Sequence, residues 1–197
     1  MASRHDTGTV PPGQLSLPDL ATDALGWQGF LVSRVALLGT VTSMVVRFDR
    51  DAHIARQERG TAQPMLDTDT LAMWEWPQAD ETFPRSVISV VGVLAHEAQS
   101  VKTLVGTARK WRGFSASAVL VPSGRRLSKQ QQLECAYSGI AVVAGTGQRV
   151  EVLQQGFPGR LANARRTVAD RWVEEQLYGT LLSRAESPDA MLPVQLG

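Results

Sequence analysis

The sequence predicts an α/β domain in which a mixed central sheet is flanked by helices. Short runs rich in β-branched residues, at 43–48, 86–95 and 117–121, alternate with segments of helical period at 100–112 and 128–138. Hydrophobic residues make up 43% of the 197, the share of a globular chain. No internal repeat, low-complexity tract or linker-like stretch divides the sequence. That length suits one domain. We therefore expect a flexible arm over 1–15, a single α/β domain over 16–185 and a tail over 186–197.

The first element is a helix over about 18–38. Ser16 is placed to cap it, Pro18 and Asp19 fall in its first turn, and Leu20, Ala24, Leu31, Val35 and Leu38 recur at helical spacing. Gly26 and Gly29 weaken that pattern, and a break near Gly29 is allowed for. A short strand follows at 43–48. The polar stretch 50–63 fits a continued strand, a turn or a loop equally well. Two strands, 70–76 and 86–95, are expected to pair as a hairpin across an irregular loop. The first of them ends at Pro77.

The second half is better marked. Over 100–112, Val101, Leu104, Val105, Ala108 and Trp111 form one apolar stripe, and Gly113 suits a helix end. A strand at 117–121 stops at Pro122. Ser128 followed by Gln131 is a capping box, and Gly139 closes that helix. Strands at 140–144 and 150–153 flank a turn at Gly145-Thr146-Gly147, and a long helix is expected over 159–183. The expected order is α-β-β-β-α-β-α-β-β-α.

Composition excludes several functions. The single Cys135 excludes a disulfide scaffold and a cysteine-ligated zinc finger, and His5, His53 and His96 lie too far apart for a ligand motif. Cys135 reads as a packed residue and His96 as a structural one. No GxGxxG or GxxxxGK[ST] is present, which disfavours dinucleotide and P-loop chemistry. Residues 1–19 hold no apolar run, and the apolar stretch 30–46 is interrupted by Arg34, Gly39, Thr40, Thr42 and Ser43. The expectation is a cytoplasmic protein with no membrane association.

The formal charge of +1 conceals a segregation. Asp67, Asp69, Glu75, Asp80 and Glu81 form an acidic cluster without Lys or Arg. Between Arg85 and Glu134, eight basic residues face only Glu97 and Glu134. Carboxylates beside a basic surface suit metal-dependent chemistry on phosphodiesters. The acids hold a hard cation through oxygen, and Arg and Lys hold flanking phosphates. Solvated loops and a basic helix face are the bland alternative. In the expected hairpin, Asp69 at the start of one strand lies beside Glu97 at the end of the other. As the bland alternative, Asp69 is a strand-entry residue and Glu97 a charge suited to the helix that follows.

At Asp69-Thr-Leu-Ala and Glu97-Ala98-Gln99, followed by a helix, SAVLVP and a capped helix, the chain resembles the PD-(D/E)xK nuclease superfamily, which has the restriction-endonuclease-like fold. That core is a helix, a three-strand meander, a helix and a further strand. Its Asp opens the second strand, and its (D/E)-x-K ends the third. The resemblance covers about residues 18–155 as a pattern of elements. It implies a restriction-endonuclease-like core and a nuclease using Mg²⁺ or Mn²⁺ held by Asp69 and Glu97. Gln99 or Lys102 would align water, and Lys102, Arg109, Arg112, Arg125 and Arg126 would hold the nucleic-acid backbone, DNA in preference to RNA. Gln99 replaces the lysine of the motif. A hydrogen-bonding amide carries no charge, so a catalytically inactive nuclease fold, binding nucleic acid or serving as a scaffold, is the alternative. A subunit of a homo-oligomer or larger protein assembly is a third.

Overall fold

The computed structural model describes residues 15–75, 84–98, 100–122, 124–147, 149–159 and 166–184. Residues 1–14 of the arm expected over 1–15, Gln99 and the expected tail over 186–197 lie outside them. The chain is an α/β protein. Among the described residues, a six-stranded mixed sheet, its strands adjacent in chain order, is flanked by six helices.

Helix α1 (Leu17–Ala24) starts where the sequence placed it. Ser16 caps it and forms a reciprocal capping box with Asp19. The helix stops at Ala24, not near 38. Gly26 takes a left-handed φ of 69° and Gly29 a φ of 153°. A Cβ on Gly29 would meet the Val46 carbonyl oxygen at 2.4 Å, so the chain passes too close to the sheet there to continue as a helix. The apolar residues 30–37 instead form strand β1 (Phe30–Leu37). Leu38 (φ 50°) and Gly39 (φ 67°) make the two-residue turn into β2 (Thr40–Phe48), with Leu37 opposite Thr40.

Two further helices replace expected extended structure. Asp49 caps α2 (Arg50–Glu58), its carboxylate accepting from the Ala52 amide at 2.9 Å. The expected strand 70–76 is α3 (Thr68–Glu75). Asp67 accepts from the Thr70 amide and hydroxyl at its start, and Leu71 is fully buried. β3 (Ile88–Ala95) is therefore not the second strand of a hairpin with 70–76. It pairs antiparallel with β2 and parallel with β4 (Ala116–Pro122).

The second half follows the expected order. α4 (Val101–Trp111) connects β3 to β4, and α5 (Lys129–Ser138) connects β4 to β5 (Ala141–Thr146), which is also parallel. Ser128 and Gln131 form the capping box of α5, and Gly139 ends it at φ 64°. β6 (Arg149–Gln154) returns antiparallel. α6 (Val168–Arg184) packs on α3 and β3. Residues 160–165 of the helix expected from 159 lie outside the described residues.

The sheet is covered on both faces, and β3 shows the division by alternation. Val93 packs with Met44, Trp111, Val173, Leu177 and Tyr178, on the side of α6. Ala95 packs with Leu104, Val119 and Cys135, under α4 and α5. Leu94 faces the other way, toward Ala21 of α1. Trp27 lies flat on Gly92, where a Cβ would come within 2.5 Å of the indole. Among the described residues, no helix is long and apolar enough to cross a membrane.

Candidate functional site

Adjacent parallel strands present their carboxyl ends at one edge of the sheet. In open α/β sheets that edge is where ligands bind. Here β3 ends at Ala95 and is followed by His96, Glu97 and the start of α4. β4 ends at Pro122 and is followed by Gly124, Arg125, Arg126 and α5. The Arg125 amide donates back to the Pro122 carbonyl at 3.1 Å, closing a turn in which Gly124 has φ 85°. Buried Leu127 anchors the loop beyond it. The Arg125 guanidinium donates across to the Ala98 carbonyl at 3.3 Å, tying the two loops together. Lys102, Arg125 and Arg126 are all exposed.

Of the residues singled out in the sequence, this edge collects Glu97, Lys102, Arg125 and Arg126. Arg109 and Arg112 lie at the far end of α4, roughly 10 and 15 Å along the axis from Lys102 at 1.5 Å per residue. Arg109 is paired there with Glu134 of α5 at 2.8 Å. Asp69 stands in the first turn of α3. No strand pairing joins it to Glu97, because the hairpin that would have done so does not exist. Gln99 lies outside the described residues.

The residues that do face the end of β3 come from the start of β2, where Ser43 stands opposite Leu94. Ser43 is fully buried, and its hydroxyl meets His96 Nε2 at 2.7 Å. Burial holds the His96 imidazole below its ordinary pKa; Glu97 opposes that shift and Arg34 adds to it. Inaccessible Ser43 is a partner for the ring rather than a nucleophile.

Glu97 is already engaged by Arg34, with Nη1 to Oε2 at 2.8 Å. Arg34 occupies an irregularity in the β1–β2 register with φ 54°, a left-handed backbone uncommon outside glycine. The last turn of α6 pins this bulge. Arg184 donates to the carbonyls of Ser33 at 2.9 Å and Arg34 at 3.2 Å. Arg34 fell inside the expected helix, where no role at this edge was foreseen; the turn at Gly39 was the available signal for a hairpin.

A hard dication needs several oxygen ligands, usually more than one carboxylate. The loops 96–100 and 123–128 contain one acid, Glu97, and it is bonded to Arg34. The start of β2, where the resemblance would place an Asp, is Thr40-Val41-Thr42-Ser43. Among the described residues, no three His, Cys, Asp or Glu side chains cluster. The donor set at this edge does not fit Mg²⁺ or Mn²⁺. What the edge offers is fixed positive charge and the amino ends of two capped helices, an arrangement suited to phosphate oxygens. Cys135 offers no alternative chemistry, since burial pushes its thiol up to about 11. Compared with family models, curated proteins and solved structures, the chain matches none.

Proposed function

We propose that this protein binds nucleic acid through its phosphate backbone, at the edge formed by the carboxyl ends of β3 and β4, without cleaving it. One observation carries this most directly: Lys102, Arg125 and Arg126 share that edge with a single carboxylate, Glu97, which Arg34 already neutralises. Three adjacent antiparallel strands β1-β2-β3 after α1, with α2 and α3 inserted between β2 and β3, then α4 and parallel β4, support reading the chain as a divergent relative of the restriction-endonuclease-like fold. The missing acid at the start of β2 favours the binding form of that fold over the hydrolytic one. DNA is the preferred partner, because the contacts proposed are to a charged backbone and none reads a base or a 2′-hydroxyl.

Fluorescence anisotropy with a labelled DNA duplex in EDTA tests this. Binding should weaken steeply with salt. A Lys102→Glu/Arg125→Glu/Arg126→Glu variant should bind roughly tenfold or more weakly, with a shallower salt dependence by about one log–log unit per lost phosphate contact. Salt-insensitive or absent binding would favour the assembly-subunit role instead. Mn²⁺-dependent cleavage abolished by Glu97→Ala would restore a nuclease.

A further inference from the structure

The opposite edge of the sheet, where β2 ends and β3 begins, holds a cleft of about 450 Å³. Three arginines line it: Arg47 of β2 and Arg50 at the start of α2, three residues apart, and Arg166 just before α6. Asp49 and Asp51, also in the lining, and Glu174 beside Arg166 offset part of this positive charge. The carboxylates nearby are largely committed. Asp49 caps α2, and Glu174, beneath the cleft, accepts from Arg166 at 3.0 Å and from the Ser86 hydroxyl. Arg47 spends only its Nε, on the Gln28 carbonyl at 3.3 Å. The Arg50 side chain and the Ser89 hydroxyl have no partner among the described residues. Exposed Asp51 is the one acid of the lining without such a role.

We propose that this cleft is a binding site for a phosphate monoester. Arg47 and Arg50 take the dianionic phosphate, Arg166 closes the third side, and Ser89 donates a hydroxyl. Guanidinium forks match tetrahedral oxyanions in geometry as well as charge. The volume exceeds what one phosphate fills, and half-buried Phe48 gives part of the wall an apolar surface. An ester carrying a compact apolar or aromatic group therefore fits better than inorganic phosphate. This site is separate from the nucleic-acid edge and does not depend on it.

Isothermal titration at constant ionic strength tests the proposal, with phenyl phosphate, inorganic phosphate and phenol as probes. The full chain should bind phenyl phosphate saturably, more tightly than inorganic phosphate, and phenol not at all. Arg50→Ala should weaken binding by roughly tenfold, since it removes one charge-assisted contact. Arg50 is exposed, so that variant keeps the fold; an unchanged thermal midpoint confirms it. Ser89→Ala should weaken binding by a smaller factor. The Lys102→Glu/Arg125→Glu/Arg126→Glu variant should bind phenyl phosphate as the parent does. Absence of saturable binding, or equal affinity in Arg50→Ala, would overturn the proposal. So would loss of binding in the triple variant, which would put the anion on the other edge.

Discussion

Two arginine–glutamate pairs of nearly equal length hold this protein together in different senses. Arg56 of α2 meets Glu175 of α6 at 2.7 Å, with both side chains 5% exposed or less. Arg34 meets Glu97 at 2.8 Å, but with 72% and 27% exposure. Around the buried pair every neighbour is recruited. Arg56 also donates to the carbonyls of Thr61 and Gln63, its guanidinium lies 4.9 Å from the Tyr178 ring centroid, and Glu175 accepts from the Met65 amide at 2.8 Å. His53 Nδ1 meets the Tyr178 hydroxyl at 2.8 Å in the same region. The pair thus stitches the connection between α2 and α3 onto α6. The Arg34–Glu97 pair is partly solvated at a strand end, and among the described residues its side chains make no other hydrogen bond. Bond length alone says little about an ion pair; the number of other buried groups that depend on it says more.

The largest expected effect separates the two. Glu175→Ala strands a buried guanidinium and leaves the Met65 amide without its acceptor. It should cost about 3–5 kcal/mol in urea unfolding, the range for breaking a buried pair. Glu97→Ala should cost about 0–1 kcal/mol. Equal losses would erase the distinction between a structural and a surface pair.

Glu174, one residue earlier on α6, sharpens the comparison because its burial is poorly offset. It is only 7% exposed, and burial pushes its carboxyl up from 4.5 to about 7, against the pull of Arg166, the Ser86 hydroxyl and Arg171 and with a smaller upward push from Asp170. A carboxyl whose folded value is raised binds its proton more tightly in the native state. Its stabilising contribution is complete below about 4.5, falls as pH rises, and is lost above about 7. The span corresponds to roughly 3 kcal/mol at 1.4 kcal/mol per unit. Glu174→Gln should therefore be favoured increasingly over the parent from pH 4.5 to pH 7 and by a constant amount above that. Unfolding free energies of both proteins across this range check it; parallel curves would mean that Glu174 ionises freely in the native state.

The same contrast explains what was legible in the sequence. Signals confined to a few neighbouring residues carried through. The Ser128–Gln131 box and Gly139 bounded α5, the stripe ending at Trp111 gave α4, and Ser16 opened α1. Glu97, Lys102, Arg125 and Arg126 fall at strand and helix ends, but the edge they share follows from the parallel pairing of β3 with β4, which the sequence did not specify. Features set by distant partners did not carry through. Residues 70–76 lack a clear period because one buried side chain, Leu71, docks α3, while Met73 is 59% exposed. The strand misread there placed Asp69 beside Glu97, whereas cross-strand register puts Ser43 at the end of β3. Register also decides that Arg34 sits in a bulge.

That bulge gives the smallest effect, and it isolates backbone from charge. Arg34→Ala and Arg34→Gly both remove the ion pair to Glu97, so they differ only in the main chain. Alanine at φ 54° retains the clash of Cβ with the backbone that glycine avoids. Glycine gives back part of that advantage, because its unfolded chain is freer by about 0.4–1 kcal/mol. The clash is about 1–2 kcal/mol, so the glycine variant should be the more stable of the two by about 0.5–1 kcal/mol. Arg184 holds the carbonyls of Ser33 and Arg34 in either variant, which keeps the bulge in place for the comparison. If urea unfolding finds the alanine variant equal or better, the backbone relaxes out of the left-handed region once the arginine is gone. The Arg34–Glu97 pair, weak as it is, would then be what holds residue 34 in its conformation.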